Sequence, residues 1–337
     1  MRVLTIGYES ALAFWRSVRL AQEPVCERSE DVVYGRGETS TARLARRAAE
    51  LCGLDLPIRI VVSSQAERPH AEDLVAHLSG APLEAAHVFS IDRELAVCRM
   101  PAVLVQLGST LDEIDLARVA YEMTGTYGLD GEGEAVSDLR PLVSLGELRS
   151  YATAARACGA RGAARVIRAL DLVVPGSNSP RETDVALVLK LPRSRGGIAF
   201  PGFTLNERVR LPERAQRIAS IRELRPDFHW AKWLLAMEYE SDRYHLSPEA
   251  MKRDERRRRA LEAAGYTVKL LTNDILMSDT QFNIFMTELV QVADPYRRPA
   301  SDKMLARRAA LRERLFGTQS EEEAQRDLST PYQGVIV

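Results

Sequence analysis

Leu12, Trp15 and Val18 recur at the spacing of one helical face, so a helix is expected from Ser10 to Leu20. A polar stretch holding Gly35 and Gly37 separates it from a second helix, Thr41 to Cys52, which Gly53 closes. The pattern then changes period. Ile58-Arg-Ile-Val-Val-Ser63 reads as a strand, with further short strands at 87–91 and 95–98. Helices are expected at 112–124, 145–157 and 160–170, with a Gly-rich acidic loop at 125–138. His70 and His77 fall in a segment read as helix, as surface residues. The small polar run Val174-Pro-Gly-Ser-Asn-Ser-Pro180 is the expected domain boundary.

Beyond it, Ser179-Pro180-Arg181-Glu182 has the form of a capping box with Pro at the first helical position. The helix it starts runs to Lys190, with Val185, Val188 and Leu189 on one face. An extended stretch carries Phe203, Leu205 and Val209. Two strands follow, Arg225–Trp230 and Leu234–Glu240, joined around Lys232 and Trp233 without the Gly or Asn of a common hairpin turn. Ser247-Pro248-Glu249 starts another helix, which ends before Gly265, and Tyr266–Leu271 returns as a strand. The end of the chain reads as a solvated basic helix at 302–315, an acidic patch (Glu321, Glu322, Glu323) and a frayed tail. The organisation is therefore 1–174, 175–295 and 296–337.

Composition narrows the function classes. The 337 residues are 45% apolar and 28% charged, enough for about two globular domains without staples. Net charge is −1, so any surface for a polyanion has to be local. Cys26, Cys52, Cys98 and Cys158 are far apart, which fits reduced thiols in a cytoplasmic protein. Neither a secretory leader nor an apolar run of membrane-spanning length is present in the sequence, so no membrane partner is expected. Histidines and cysteines lack the paired spacing of a zinc site.

The candidate chemistry lies in the hairpin. Asp227 and Glu238 are equally far from its centre, and period-two geometry puts Glu240 on the same strand face as Glu238. Three converging carboxylates repel one another unless a cation neutralises them, and Mg²⁺ (or Mn²⁺) prefers one or two carboxylates plus waters and phosphate oxygens. The competing reading is solvent-facing acids on an edge hairpin, and spacing alone leaves both open. The next helix carries Lys252, Arg253 and Arg256 to Arg259, which suits a phosphate backbone. It equally suits a solvated face on which Asp254, Glu255 and Glu262 supply ion pairs.

Taken in order, Glu182, Asp227, the stretch Glu238-Tyr239-Glu240-Ser241 ending in His245, then Asp254, Arg257, Leu261 and Gly265-Tyr266-Thr267-Val268 resemble the PD-(D/E)XK superfamily. The branch they are similar to is that of very-short-patch-repair endonucleases. The N-terminal half is similar to proteins related to abortive-infection antitoxins.

The resemblance implies an α/β fold: a restriction-endonuclease-like α/β/α domain with a mixed central sheet, preceded by a mixed α+β domain. It also implies a metal-dependent endonuclease for nucleic acid, with DNA as the expected target. Asp227, Glu238 and Glu240 would be metal ligands and Glu182 a contact through water or to a second ion. His245 would be the general base or acid, and Arg253, Arg257 and Arg258 would contact nucleic acid. For Glu182 the capping box, and for His245 a structural role, are the alternatives. Glu240 stands where the superfamily has Lys, which opens a second reading as a catalytically silent, DNA-binding or antitoxin-like regulator. The pattern leaves room for a homodimer and for a protein partner at the N-terminal domain.

Overall fold

The computed structural model describes residues 3–21, 41–69, 71–81, 83–240 and 248–329. The chain is α/β in class and divides into two compact units, Met1–Pro180 and Arg181–Val337. The division falls at the end of the Val174–Pro180 segment, and the last helix belongs to the second unit rather than forming a segment of its own.

In the first unit the order is β1 (Leu4–Ile6), α1 (Tyr8–Ala21), α2 (Thr41–Cys52), β2 (Ile58–Val62), β3 (Leu74–Leu78), β4 (Val88–Ser90), β5 (Leu95–Cys98), α3 (Met100–Leu107) and α4 (Glu113–Thr124). A small hairpin, β6 (Gly128–Leu129) and β7 (Ala135–Val136), precedes α5 (Leu145–Ala157) and α6 (Ala163–Leu170). The five-stranded sheet has the order β3-β2-β1-β5-β4, with β1 parallel to β5 and antiparallel to β2. Local signals start the helices: Asp112 caps α4 by accepting from the Ile114 and Asp115 amides, and Ser144 with Glu147 forms a capping box on α5.

His77 corrects its expected place. It lies on strand β3 beside Val61 of β2, its ring stacked on Tyr8 at 4.1 Å. The segment Leu74–Leu78 is too short to show a clear period, and pairing with β2 decides its conformation. His70 and Cys26 lie outside the described residues; Cys52 and Cys98 are buried free thiols, and Cys158 is exposed.

The second unit begins with α7 (Pro180–Lys190), then β8 (Thr204–Leu205), β9 (Val209–Arg210), α8 (Glu213–Ala219), β10 (Glu223–Leu224), β11 (Phe228–Trp230) and β12 (Leu235–Glu240). It continues through α9 (Pro248–Ala263), β13 (Thr267–Thr272), α10 (Asn273–Met277), α11 (Asp279–Gln291) and α12 (Asp302–Ser329). Its four-stranded sheet runs β13-β12-β11-β8 and is mixed: β12 is parallel to β13, while β11 is antiparallel to both neighbours. Side chains alternate across it. Phe228 and Trp230 join Phe203 and Phe200 in an aromatic cluster on one face. On the other, Ala236 packs with Ala215 of α8 and with Ala260 and Leu261 of α9. Helix α7 is buried from Arg181 to Leu189.

The terminal helix corrects a second expectation. One face of it packs: Leu311, Leu315 and Phe316 are buried, and so are Arg308 and Arg312, while Lys303, Arg307, Glu313 and Arg314 stay exposed. Arg312 forms a salt bridge with Asp279, donates to the Leu276 carbonyl, and lies 4.7 Å over the Phe282 ring. Tertiary partners thus accommodate charges that an isolated helix would turn to water. The side chains of Glu321, Glu322 and Glu323 lie outside the described residues. None of the helices searched is long and apolar enough to cross a membrane.

Candidate functional site

The β11–β12 register pairs Phe228 with Met237, His229 with Ala236 and Trp230 with Leu235. One step further in the same register puts Asp227 opposite Glu238. The Tyr239 amide donates to Asp227 Oδ2 at 2.7 Å. The turn that sets this register lacks glycine. Ala231–Trp233 form a 3-10 turn, and Leu234 adopts the left-handed conformation at φ 45°, which costs an L-residue about 1–2 kcal/mol. Trp233 stacks on Phe200 at 5.3 Å, and Lys232 lies 5.3 Å from the Trp233 ring centre. Lys232 is therefore at the hairpin tip, at the far end of β11 from Asp227.

Asp227, Glu238, Tyr239 and Glu240 line a cavity of about 560 Å³ with Asp254, Arg257 and Arg258 of α9. Burial pushes Asp227 up to about 6, opposed by the Tyr239 N–H and by Arg257. Glu238 is raised to about 8, first by burial and then by the charge of Asp227. The two carboxyls titrate as a pair, since ionising one discourages ionisation of the other. Compensation from the chain is thin. Arg257 Nη2 is 3.9 Å from Glu238 Oε1 and also donates to the Arg225 carbonyl at 3.2 Å.

The three expected carboxylates do not converge equally. Among the described residues, no group of three or more His, Cys, Asp or Glu side chains is placed to hold a metal ion. Asp227 and Glu238 come together. Glu240 faces the same cavity from one pleat repeat further along β12, about 7 Å at the strand rise, and its charge acts on Arg258. The donor set still suits a hard divalent ion, because two half-buried, mutually repelling carboxylates in an open cavity supply what Mg²⁺ takes from protein, leaving the rest to water and phosphate.

Of the expected nucleic-acid contacts, Arg257 and Arg258 line the cavity, whereas Arg253 is exposed on α9 and is not part of its lining. Arg258 and Arg259 both pair with Glu255, at 2.6 and 2.8 Å. Arg257 reaches inward to Glu238 instead of pairing along the helix with Asp254.

Glu182 lies outside the cavity lining but is linked to it. Its Oε2 accepts from Asn206 Nδ2 at 2.7 Å, and the Asn206 amide donates to the Asp227 carbonyl at 3.2 Å. Asn206 is at φ 50°, a conformation Asn tolerates better than most residues. His245 lies outside the described residues.

A neighbouring cluster lies outside the sequence motif. His229 is buried on the sheet face that carries Asp227, with Nδ1 3.0 Å from Glu207 Oε2 and Nε2 3.1 Å from the Tyr266 hydroxyl. Thr204 Oγ1 donates to the same Glu207 oxygen at 2.6 Å, and the Thr204 and His229 bonds hold that carboxyl below its ordinary range. The i, i+2 spacing of Asp227 and His229 was the available signal. Glu207, on the segment after β8, could not be connected with them by spacing. No family model, curated protein or solved structure matches the chain.

Proposed function

We propose that the Arg181–Val337 unit is a metal-dependent nuclease domain that hydrolyses phosphodiester bonds in nucleic acid, with DNA as the substrate. The observation that carries this reading is the Asp227–Glu238 pair: two acids set opposite each other by strand register, raised by burial and mutual repulsion, in a cavity flanked by arginines. Mg²⁺ or Mn²⁺ bound there would polarise the phosphate and lower the pKa of the attacking water. The chain's own residues do the rest. The Tyr239 N–H holds Asp227 Oδ2, and the carboxylate's other oxygen would be left for the ion. Arg257 and Arg258 offer guanidinium groups to the phosphates of a bound strand. Glu240 brings a negative charge beside Arg258 where the superfamily has an ammonium, so this cavity stabilises a developing phosphorane less through its side chains and depends more on the ion.

That same substitution favours a second reading, a nuclease-like domain that binds DNA without cutting it. Plasmid cleavage by the purified full-length protein separates the two. Cleavage that requires Mg²⁺ or Mn²⁺, stops with EDTA and is lost in Asp227→Ala supports the nuclease. Salt-sensitive DNA binding without cleavage supports the regulator, and cleavage that survives both EDTA and the substitution removes the assigned site.

A further inference from the structure

A second cavity, of about 440 Å³, lies among the turn after α7, helix α11 and the first turns of α12, and Arg193, Arg297 and Arg308 line it. Arg308 is only 6% exposed; its Nη1 donates to Asn283 Oδ1 at 2.7 Å, and its Nε is buried without a partner. Arg297 donates to the carbonyls of Ile198 and Ala199, and Arg193 to those of Arg298 and Pro299 at 3.2 and 2.9 Å. Carbonyls orient a guanidinium but do not neutralise it. Among the described residues, none of the three forms a salt bridge with a carboxylate. Glu288, the acid in the lining, is taken by Lys269 at 2.9 Å.

Arg312, one turn along α12, makes the contrast. It is equally buried, yet the chain gives it Asp279 and the face of Phe282. Arg308 has instead two further cations, and burial followed by the charges of Arg193 and Arg297 weakens its hold on its proton. Arginine does not give that proton up at neutral pH, so the repulsion stays, and the charge of Asp294 offsets part of it at Arg297. The crowding is built into the backbone. Gly196 is at φ +89°, and a Cβ there would stand 2.4 Å from the Arg307 carbonyl oxygen, so the Arg193–Arg195 turn is seated directly on α12.

We propose that Arg193, Arg297 and Arg308 form a second ligand site that binds a phosphoryl group. Several guanidinium groups lining one cavity match the charge and the several oxygens of a phosphate better than a single carboxylate. The cavity volume is in the range of small-molecule sites, and Ile284, Val290 and Leu305 in its lining offer apolar wall to the organic part. The phosphoryl group comes either from a small phosphomonoester or from a nucleic-acid strand end.

The test titrates the full chain with inorganic phosphate and with AMP at ionic strength held constant with NaCl, read by calorimetry and Tm. Saturable binding is expected, weakened about tenfold or more in Arg308→Gln and in Arg193→Gln, as losing a charged hydrogen-bond donor implies. It persists in Arg257→Gln, which removes a guanidinium of the other cavity and so separates this site from the proposed nuclease centre. Arg193 is less buried than Arg308, so Arg193→Gln decides the matter if Arg308→Gln does not fold. Preference for a 5′-phosphorylated over a 5′-hydroxyl oligonucleotide, lost in Arg193→Gln, assigns the site to a strand end; equal oligonucleotide binding with AMP retained assigns it to a small ligand. Absence of phosphate binding at constant ionic strength, or binding unchanged in both arginine variants, overturns the proposal.

Discussion

Asp227 and Glu238 face each other across the β11–β12 hairpin, one register step beyond the Phe228–Met237 pair, and the Tyr239 amide ties Asp227 to the opposite strand at 2.7 Å. Directly opposed side chains of an antiparallel pair have Cβ atoms about 5 Å apart, so neither acid can ionise without regard to the other. A structure keeps such a pair at a cost in stability, which a bound cation would recover.

Neutralising either acid is therefore expected to separate stability from activity. Asp227→Asn and Glu238→Gln should raise the metal-free midpoint of denaturation while reducing Mg²⁺-dependent cleavage by about a hundredfold or more. A plasmid-nicking time course beside urea denaturation with and without Mg²⁺ checks both. Loss of stability together with full activity would contradict the assignment.

The pH dependence has a definite sign. Both carboxyls have folded-state pKa values above their ordinary ones, so the native state holds protons that the unfolded chain releases. Their contribution is complete below the ordinary carboxylate range, about pH 4, and falls away as pH rises through the two steps of the pair, at about 6 and about 8. Wild-type stability relative to the Asp227→Asn, Glu238→Gln double variant should decline across that window without Mg²⁺, and the decline should flatten when Mg²⁺ is present.

Arg257 is the cation nearest the pair, with Nη2 3.9 Å from Glu238. Arg257→Gln should raise Glu238 further, weaken DNA binding and lower the salt slope of log K by about one. Arg253→Gln, on the exposed part of α9 outside the cavity lining, should change affinity less. Fluorescence anisotropy across a salt series measures both.

Asn206 connects the Glu182 carboxylate to the Asp227 carbonyl from a left-handed backbone position. Asn206→Ala should destabilise the unit by about 2–4 kcal/mol, through the lost hydrogen bond to a buried acid and the strain of Ala at positive φ. Asn206→Gly keeps the backbone free and should cost about 1–2 kcal/mol less. If the two variants are equally destabilised, the backbone part of this account fails.

Features with local causes were legible along the chain. The strand alternation of 225–240, counted from the hairpin centre, sets Asp227 against Glu238 whatever surrounds them, and Asp112, Ser144 and Gly265 mark helix ends through hydrogen bonds and backbone freedom within a few residues. The tertiary structure decided what depends on distant partners. Leu74–Leu78 became a strand because β2 was there to pair with it, and Glu207 reached His229 because β8 lies beside β11. Arg308 and Arg312 look alike along a basic helix, yet Arg312 meets Asp279 and Arg308 meets two other arginines. Burial of a charge is set by what is packed against it, and one strand of sequence does not carry that information.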